Sequence, residues 1–201
     1  MQLQVPFYKN VGNNCGPIAV KMVLEYLGER HSLRSIQRSS NPEQSDMTWT
    51  LALALATAKV GFRTEFYSTY LGFNPKNENH EFYHKNADIE AADKKMAQLH
   101  TWCRNLGVKE TEQSLSLDEI LGRLSTNCAI IALLDVNRID RKPGYHGHFV
   151  PIVGYDKRYV YIHDSGPLNA VPHFRLTRRQ FDIARTAPGT DEDIIFIHRK
   201  R

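Results

Sequence analysis

The chain has 201 residues, 41% of them apolar and 24% charged, which is ordinary usage for a globular domain. Collagen-like, coiled-coil and wholly disordered organisations are excluded, and a chain of this length buries roughly 70% of its unfolded surface without staples. Lys and Arg total 26 against 22 Asp and Glu, a net charge of +4, dispersed except at Arg175–Arg179 and the last four residues. That dispersal argues against a nucleic-acid partner, and the terminal cluster reads as a solvated tail.

In chain order, Val5–Tyr8 is an extended lead-in and Lys9–Asn14 a loop. Cys15-Gly16-Pro17 then opens a helix whose apolar stripe stops near Gly28, with Pro17 in the first turn, where its missing N–H costs nothing. Residues 31–47 are polar and irregular, with room for a short helix. Met47–Val60 is Ala- and Leu-rich and reads as a buried helix, its Leu51, Leu53 and Leu55 forming core. Phe62–Tyr70 alternates as a strand. Residues 72–87, with Asn74, Asn77, Asn79, Asn86 and Pro75, read as a loop. Ile89–Leu106 has helical spacing, and Ser116–Glu119 is a capping box opening a helix to Leu124. Cys128–Val136 is a buried strand, Phe149–Gly154 and Tyr159–His163 form a hairpin, and Ile194–His198 is a final strand. Helices in front and an antiparallel sheet behind give an α+β fold in one domain, 1–201.

No apolar run nears the ~18 residues a membrane span needs, and the N-terminus shows no Sec-type signal. The expected location is the cytoplasm, or export without such a signal. Three cysteines, Cys15, Cys103 and Cys128, form no CxxC and no disulfide framework.

Cys103 and Cys128 sit within apolar patterns, but Cys15 stands at a helix N-terminus, where free N–H groups and the helix dipole favour a thiolate. A reactive thiol needs a base. His148 opens the first hairpin strand after Gly147, and Asp164 ends the second. Paired residues in a hairpin share a constant sum, and His148 and Asp164 share a face only if that sum is even. A turn at Tyr155–Lys157 gives 312 and sets them opposite. One at Asp156–Arg158 gives 314 and sets them diagonally. A two-residue turn gives 313 and separates them. The spacing allows an imidazole–carboxylate pair without forcing it.

Asn14–Leu24, with its CGPxxxxM run, together with Gly147–Asp156, resembles the C39-like cysteine peptidases of the papain-like superfamily, and Phe174–Phe181 is similar to that family's late helix. The resemblance touches about residues 5–70 and 125–198. It implies a papain-like cysteine proteinase fold. It also implies hydrolysis of a peptide or isopeptide bond through Cys15, His148 and Asp164 and a thioester, with a peptide or protein substrate and no cofactor or metal. The family's oxyanion glutamine falls at Asn10, one methylene shorter, with Asn13 and Asn14 as other candidates for the hole. Ser165-Gly166 replaces the proline the family often has after its aspartate. Residues 72–124 match no part of that pattern and read as an insertion over the cleft.

Two other readings stand beside the peptidase. One is a papain-like binding module whose catalysis has lapsed, or a non-proteolytic acyltransferase or deamidase. The other is a zinc hydrolase on His80 and His84, which fit HExxH by letter but follow a loop composition.

Overall fold

The computed structural model describes residues 1–40, 47–77, 81–166 and 170–200. Its scaffold is one seven-stranded sheet in the order β2-β1-β7-β3-β4-β5-β6. The strands are β1 (Arg63–Ser68), β2 (Lys109–Glu112), β3 (Cys128–Asp135), β4 (Gly147–Tyr155), β5 (Tyr159–Asp164), β6 (Val171–Thr177) and β7 (Ile194–His198). The helices are α1 (Cys15–Tyr26), α2 (Leu33–Ser40), α3 (Thr50–Lys59), α4 (Glu81–Asn86), α5 (Ile89–Asn105), α6 (Leu117–Arg123), α7 (Val136–Asp140) and α8 (Arg178–Arg185). Among the described residues no helix is long and apolar enough to cross a membrane.

Strand alternation divides the core. Ile131 and Leu133 of β3 face a cluster with Leu51 and Leu55 of α3 and Leu99 of α5. Ile130, Ala132 and Leu134 face the other way, onto Ile120 of α6 and Phe181 of α8. Helices therefore cover both faces. Every residue of α3 from Thr50 to Ala58 is buried, which explains why its sequence shows no polar stripe.

The α+β architecture agrees with the sequence reading, with three differences. First, the sheet is not wholly antiparallel: β1 pairs with β2 in parallel. β2, Lys-Glu-Thr-Glu, is a charged edge strand with no apolar period, the composition that protects an exposed edge. Second, the 72–87 stretch is not all loop: it holds a single 3₁₀ turn, Pro75–Asn77, and α4. Third, Phe174–Thr177 belongs to a strand, not to the late helix. That helix starts at Arg178, behind a capping box in which Thr177 Oγ1 accepts from the Gln180 amide.

The hairpin of β4 and β5 carries the structural decision that matters most. Next to the turn, Tyr155 pairs with Val160 and Gly154 with Tyr161, an odd sum of 315. Continued unchanged, that register would put His148 and Asp164 on opposite faces. A bulge at Val153 intervenes, and Ile152 pairs with Ile162, a sum of 314. His148 and Asp164 thus become a same-face diagonal pair. The bulge is held from outside: the Leu3 amide donates to the Val153 carbonyl at 2.7 Å, and Gln2 bridges Gly154. A Cβ on Gly154 would lie 2.6 Å from the Met1 carbonyl oxygen, a backbone atom that cannot swing aside like a side chain. Gly154→Val is expected to cost about 1–3 kcal/mol, read from the midpoint of a urea melt at unchanged slope.

Candidate active site

Cys15 is the first residue of α1, and Asn14 caps the helix without a side-chain bond to its free N–H groups. Gly16 brings this helix end close to the sheet. A Cβ there would lie 3.0 and 3.1 Å from the Leu53 methyls and 3.1 Å from the Phe149 ring. The glycine of the CGP run is therefore needed for close approach, not for a left-handed backbone. It seats the Cys15 sulfur against the start of β4, where His148 projects.

His148 is buried, and its Nε2 lies 3.1 Å from Asp164 Oδ1. That leaves Nδ1 for Cys15, with which the imidazole also hydrogen-bonds. The same Asp164 oxygen accepts the Gly166 amide at 2.9 Å. Burial by itself would raise the Cys15 pKa. The hydrogen bond and charge of His148, with the backbone at Phe149 and Gly16, outweigh it and bring the thiol below its ordinary value. Burial likewise opposes a charged imidazole, but Asp164 and Cys15 together push His148 up to about 9. Asp164, despite burial, is held below the usual carboxylate range by His148 and the Gly166 amide. Each member favours the charged form of its neighbour, the electrostatics of a thiolate–imidazolium pair with a carboxylate behind it.

The other thiols differ. Burial pushes Cys103 up to about 12 and Cys128 up to about 11.

Asn10 is buried beside the cleft, but its side chain is engaged locally. Nδ2 donates to the Gly12 carbonyl at 2.9 Å, and Oδ1 accepts the Asn14 amide at 3.2 Å. One Nδ2 proton is left over for another acceptor. The Asn10 backbone amide donates to the Ser165 carbonyl at 3.0 Å, tying the loop before Cys15 to the residue after Asp164. Asn14 faces away: its Oδ1 accepts from Gln37 Nε2 at 2.6 Å and its Nδ2 donates to Val11. Asn13 lines the cleft.

The cleft holds about 570 Å³, with Cys15 and His148 in its wall. Gly72, Phe73, Asn77 and side chains of α4 form another wall. Beyond α4 the unmatched segment builds scaffold: α5 packs on α3, β2 on β1, and α6 under the second sheet face.

The sequence reading missed an aromatic assembly here. Tyr83 is stacked between Trp49 and Tyr145, with centroids 6.2 and 5.8 Å away, and donates from its hydroxyl to the Gly189 carbonyl at 2.7 Å. Tyr145 packs so tightly on Gly189 that a Cβ there would lie 3.0 Å from the ring. The rings thus brace the loop that delivers His148 against α4. Tyr145 stands between Gly144 and Gly147 in the sequence, and nothing in that local run names its distant partners.

Of the two HExxH histidines, His84 lies on α4 and is exposed, while His80 lies outside the described residues. Among the described residues no three His, Cys, Asp or Glu side chains gather to hold a metal.

A thiol at a helix N-terminus, facing an imidazole–carboxylate pair across a helix–sheet junction, lies here on the fold of the C39 peptidase domains. Three solved structures share that fold. The putative C39-like peptidase from Bacillus anthracis has a TM-score of 0.60 at 13% identity, covering 100% of this chain and 98% of its own. The peptidase domain of Streptococcus ComA, a bifunctional ABC transporter involved in quorum sensing, gives 0.55 at 14%, covering 98% and 100%. A double glycine motif protease from an AMS/PCAT transporter, in complex with the leader peptide, gives 0.51 at 16%, covering 98% and 94%. By sequence the chain belongs to the guanylylate cyclase family, whose model matches residues 7–197. It is 26% identical to Guanylyl cyclase 1 of Arabidopsis thaliana over 206 residues, 92% of this chain and 72% of that protein. The family is therefore not the C39 peptidases themselves: the likeness to them is one of fold.

Proposed function

We propose that this chain is a thiol-dependent hydrolase that cleaves a peptide, isopeptide or related amide bond through a thioester. The observation that carries the reading is the reciprocal electrostatics of Cys15, His148 and Asp164 at the wall of one cleft. The Cys15 thiolate adds to the acyl carbon, forming a C–S bond as the carbonyl electrons move to oxygen. The Cys15 amide and the spare Asn10 proton stabilise that oxyanion. On collapse the C–N bond breaks, and the Nδ1 proton of His148 goes to the leaving amine. His148 then takes a proton from water, which attacks the thioester and frees Cys15. Asp164 keeps the ring oriented throughout. Transfer to an amine, or deamidation, would share every step but the final acceptor or leaving group.

A second reading, a binding module without turnover, is favoured by one observation: Asn10 spends one amide proton on Gly12. The activity in the family name is nucleotide cyclisation, which moves phosphoryl charge and calls for cationic clamps or metal ions. Lys85 is the sole lysine or arginine among the described residues lining the cleft, so the lining favours acyl over phosphoryl chemistry.

Iodoacetamide labelling at pH 7, read by peptide mass spectrometry, separates these. Cys15 is expected to react at least about 100-fold faster than Cys103 or Cys128, as a low-pKa thiol should against buried inert ones. Equal rates would overturn the hydrolase. Cyclic GMP formation from GTP that survives Cys15→Ala unchanged, with no amide turnover, would favour the activity of the family name.

A further inference from the structure

The N-terminal lead-in crosses the hairpin that carries His148 and Asp164 and is fastened to it. The Leu3 amide holds the Val153 carbonyl at the bulge, and the Asn10 amide holds the Ser165 carbonyl. Between them the Val5 carbonyl is held by a side chain, that of His163. His163 precedes Asp164 on β5 and is wholly buried. Both of its ring nitrogens are engaged. Nδ1 accepts the His173 amide at 3.1 Å, so that nitrogen carries no proton. The proton is therefore on Nε2, which donates to the Val5 carbonyl at 2.9 Å, a link between residues 158 positions apart. A second bulge sets up this arrangement. Ile162 pairs with Phe174 and Asp164 with Val171, so Pro172 and His173 together oppose His163. Pro172 has no amide to give. His173 is held at a left-handed φ of 50°, and its amide goes to the ring.

A cationic His163 could not keep this arrangement. With a proton on each nitrogen the ring only donates, and Nδ1–H would meet the His173 N–H head on. The charge would also stand in a buried site. Phe7 of the lead-in and His173 of β6 pack edge-to-face with the ring, at centroid distances of 5.3 and 4.7 Å. The side-chain charge acting on it, among the described residues, is that of His173, a second cation when protonated. Asp164, next along β5, spends Oδ1 on His148 and the Gly166 amide. Burial, with His173, keeps the His163 pKa below its ordinary value against the pull of the backbone at Val5 and Ile162.

Resting on the hydrolase reading above, we infer that His163 is a positioning residue for Cys15, His148 and Asp164, and that it serves only as the uncharged ring. Neutral, it pins the lead-in to the strand end that carries Asp164. Protonated, it releases the His173 amide, and that strand end loosens. Asp164 then withdraws from His148, and the Cys15 thiolate loses the imidazolium that holds it. Acid thus shuts the site through a histidine that does not line the cleft. The linkage has the opposite sign to that of His148. A histidine lowered on folding adds stability that is whole above about pH 6.5 and is lost as pH falls below it.

His163→Gln tests this, because its side-chain amide can still donate to Val5 and does not titrate. Iodoacetamide alkylation of Cys15 is measured at about pH 5 and about pH 7.5, and each protein's acid rate is taken as a fraction of its own neutral rate. That fraction is expected to be at least about 10-fold smaller in the wild type than in His163→Gln, the change that one unit of thiol pKa gives. His163→Ala, which keeps neither bond, should slow alkylation about 10-fold at neutral pH by the same reasoning, and the glutamine should restore part of the rate. Neutral alkylation of His163→Ala at the wild-type rate would overturn the positioning role. The wild-type protein supplies a further test that needs no variant to fold, by two-bond ¹H–¹⁵N spectra of its imidazoles. His163 should show the Nε2–H form at neutral pH, and as it titrates in acid the His148 resonances should move with the same midpoint. An Nδ1–H form, or a His148 unmoved while His163 titrates, overturns the inference. The two readings stay apart: equal acid fractions beside fast neutral alkylation of the wild type remove the inference and leave the hydrolase. A wild-type Cys15 no faster than Cys103 or Cys128 removes the hydrolase.

Discussion

Cys15→Ala is expected to lower amide turnover by at least about 10⁴-fold while leaving the fold intact, because removing a nucleophile removes the covalent route entirely. The structural cost should be small. Cys15 is only partly buried, and it packs at the margin of the helical core cluster. Alanine at the first position of α1 keeps good helix propensity. The informative measurement is turnover beside a thermal melt: activity lost with the melting temperature held within a few degrees assigns the loss to chemistry. Retained turnover would mean that the thiol is a bystander and the hydrolase reading wrong. Cys103→Ala makes a useful contrast. That thiol lies wholly within the core, with its Sγ 3.6 Å from the Leu51 carbonyl, so its removal should be felt in stability and not in mechanism.

Much of this site could be read from the chain because its parts are local. The Cys15-Gly16-Pro17 run encodes a helix start, and Gly147-His148 and Asp164 lie at strand ends that β-propensity marks well. What could not be read was how the strands register. The turn between β4 and β5 has the parity that separates His148 from Asp164, and only the bulge at Val153 restores a shared face. The bulge depends on Leu3 and Gln2, some 150 residues away in the chain, and a hydrophobic pattern carries no trace of such a contact. The charged edge strand β2 escaped for a related reason: its pairing with β1 is backbone chemistry, silent in side-chain periodicity. The Tyr83 stack was missed because it gains its meaning from residues far off in sequence. Asn10 was located by its spacing from Cys15, but its engagement by Gly12 and Asn14 is a property of loop shape.

His148→Ala should have the second large effect, and it is visible without any substrate. In the wild-type protein the causes acting on Cys15 oppose each other: burial raises its pKa, and the His148 hydrogen bond and charge bring it back below the ordinary value. Deleting the imidazole removes the two largest lowering contributions and leaves the burial opposed only by the backbone bonds at Phe149 and Gly16, so the thiol pKa moves up. The sign follows for the pH profile. The charged pair exists above the lowered Cys15 value and below the raised His148 value of about 9. Wild-type alkylation should therefore hold up as pH falls below the usual thiol range, whereas that of the variant should fall off at a higher pH than that of the wild type. Thiolate absorbance near 240 nm, followed from about pH 4 to 10, reads this directly, since a 1.4 kcal/mol change in the balance is one pKa unit. At pH 7 the alkylation rate of Cys15 is expected to fall by about 100-fold or more, in proportion to the thiolate lost. His148 is also linked to folding: its raised pKa adds stability that is complete below about pH 6.5 and fades as pH rises through about 9. A stability profile that stays flat between those limits, with a Cys15 titration unmoved by the substitution, would show that the two side chains do not share a proton and would remove the base from the mechanism.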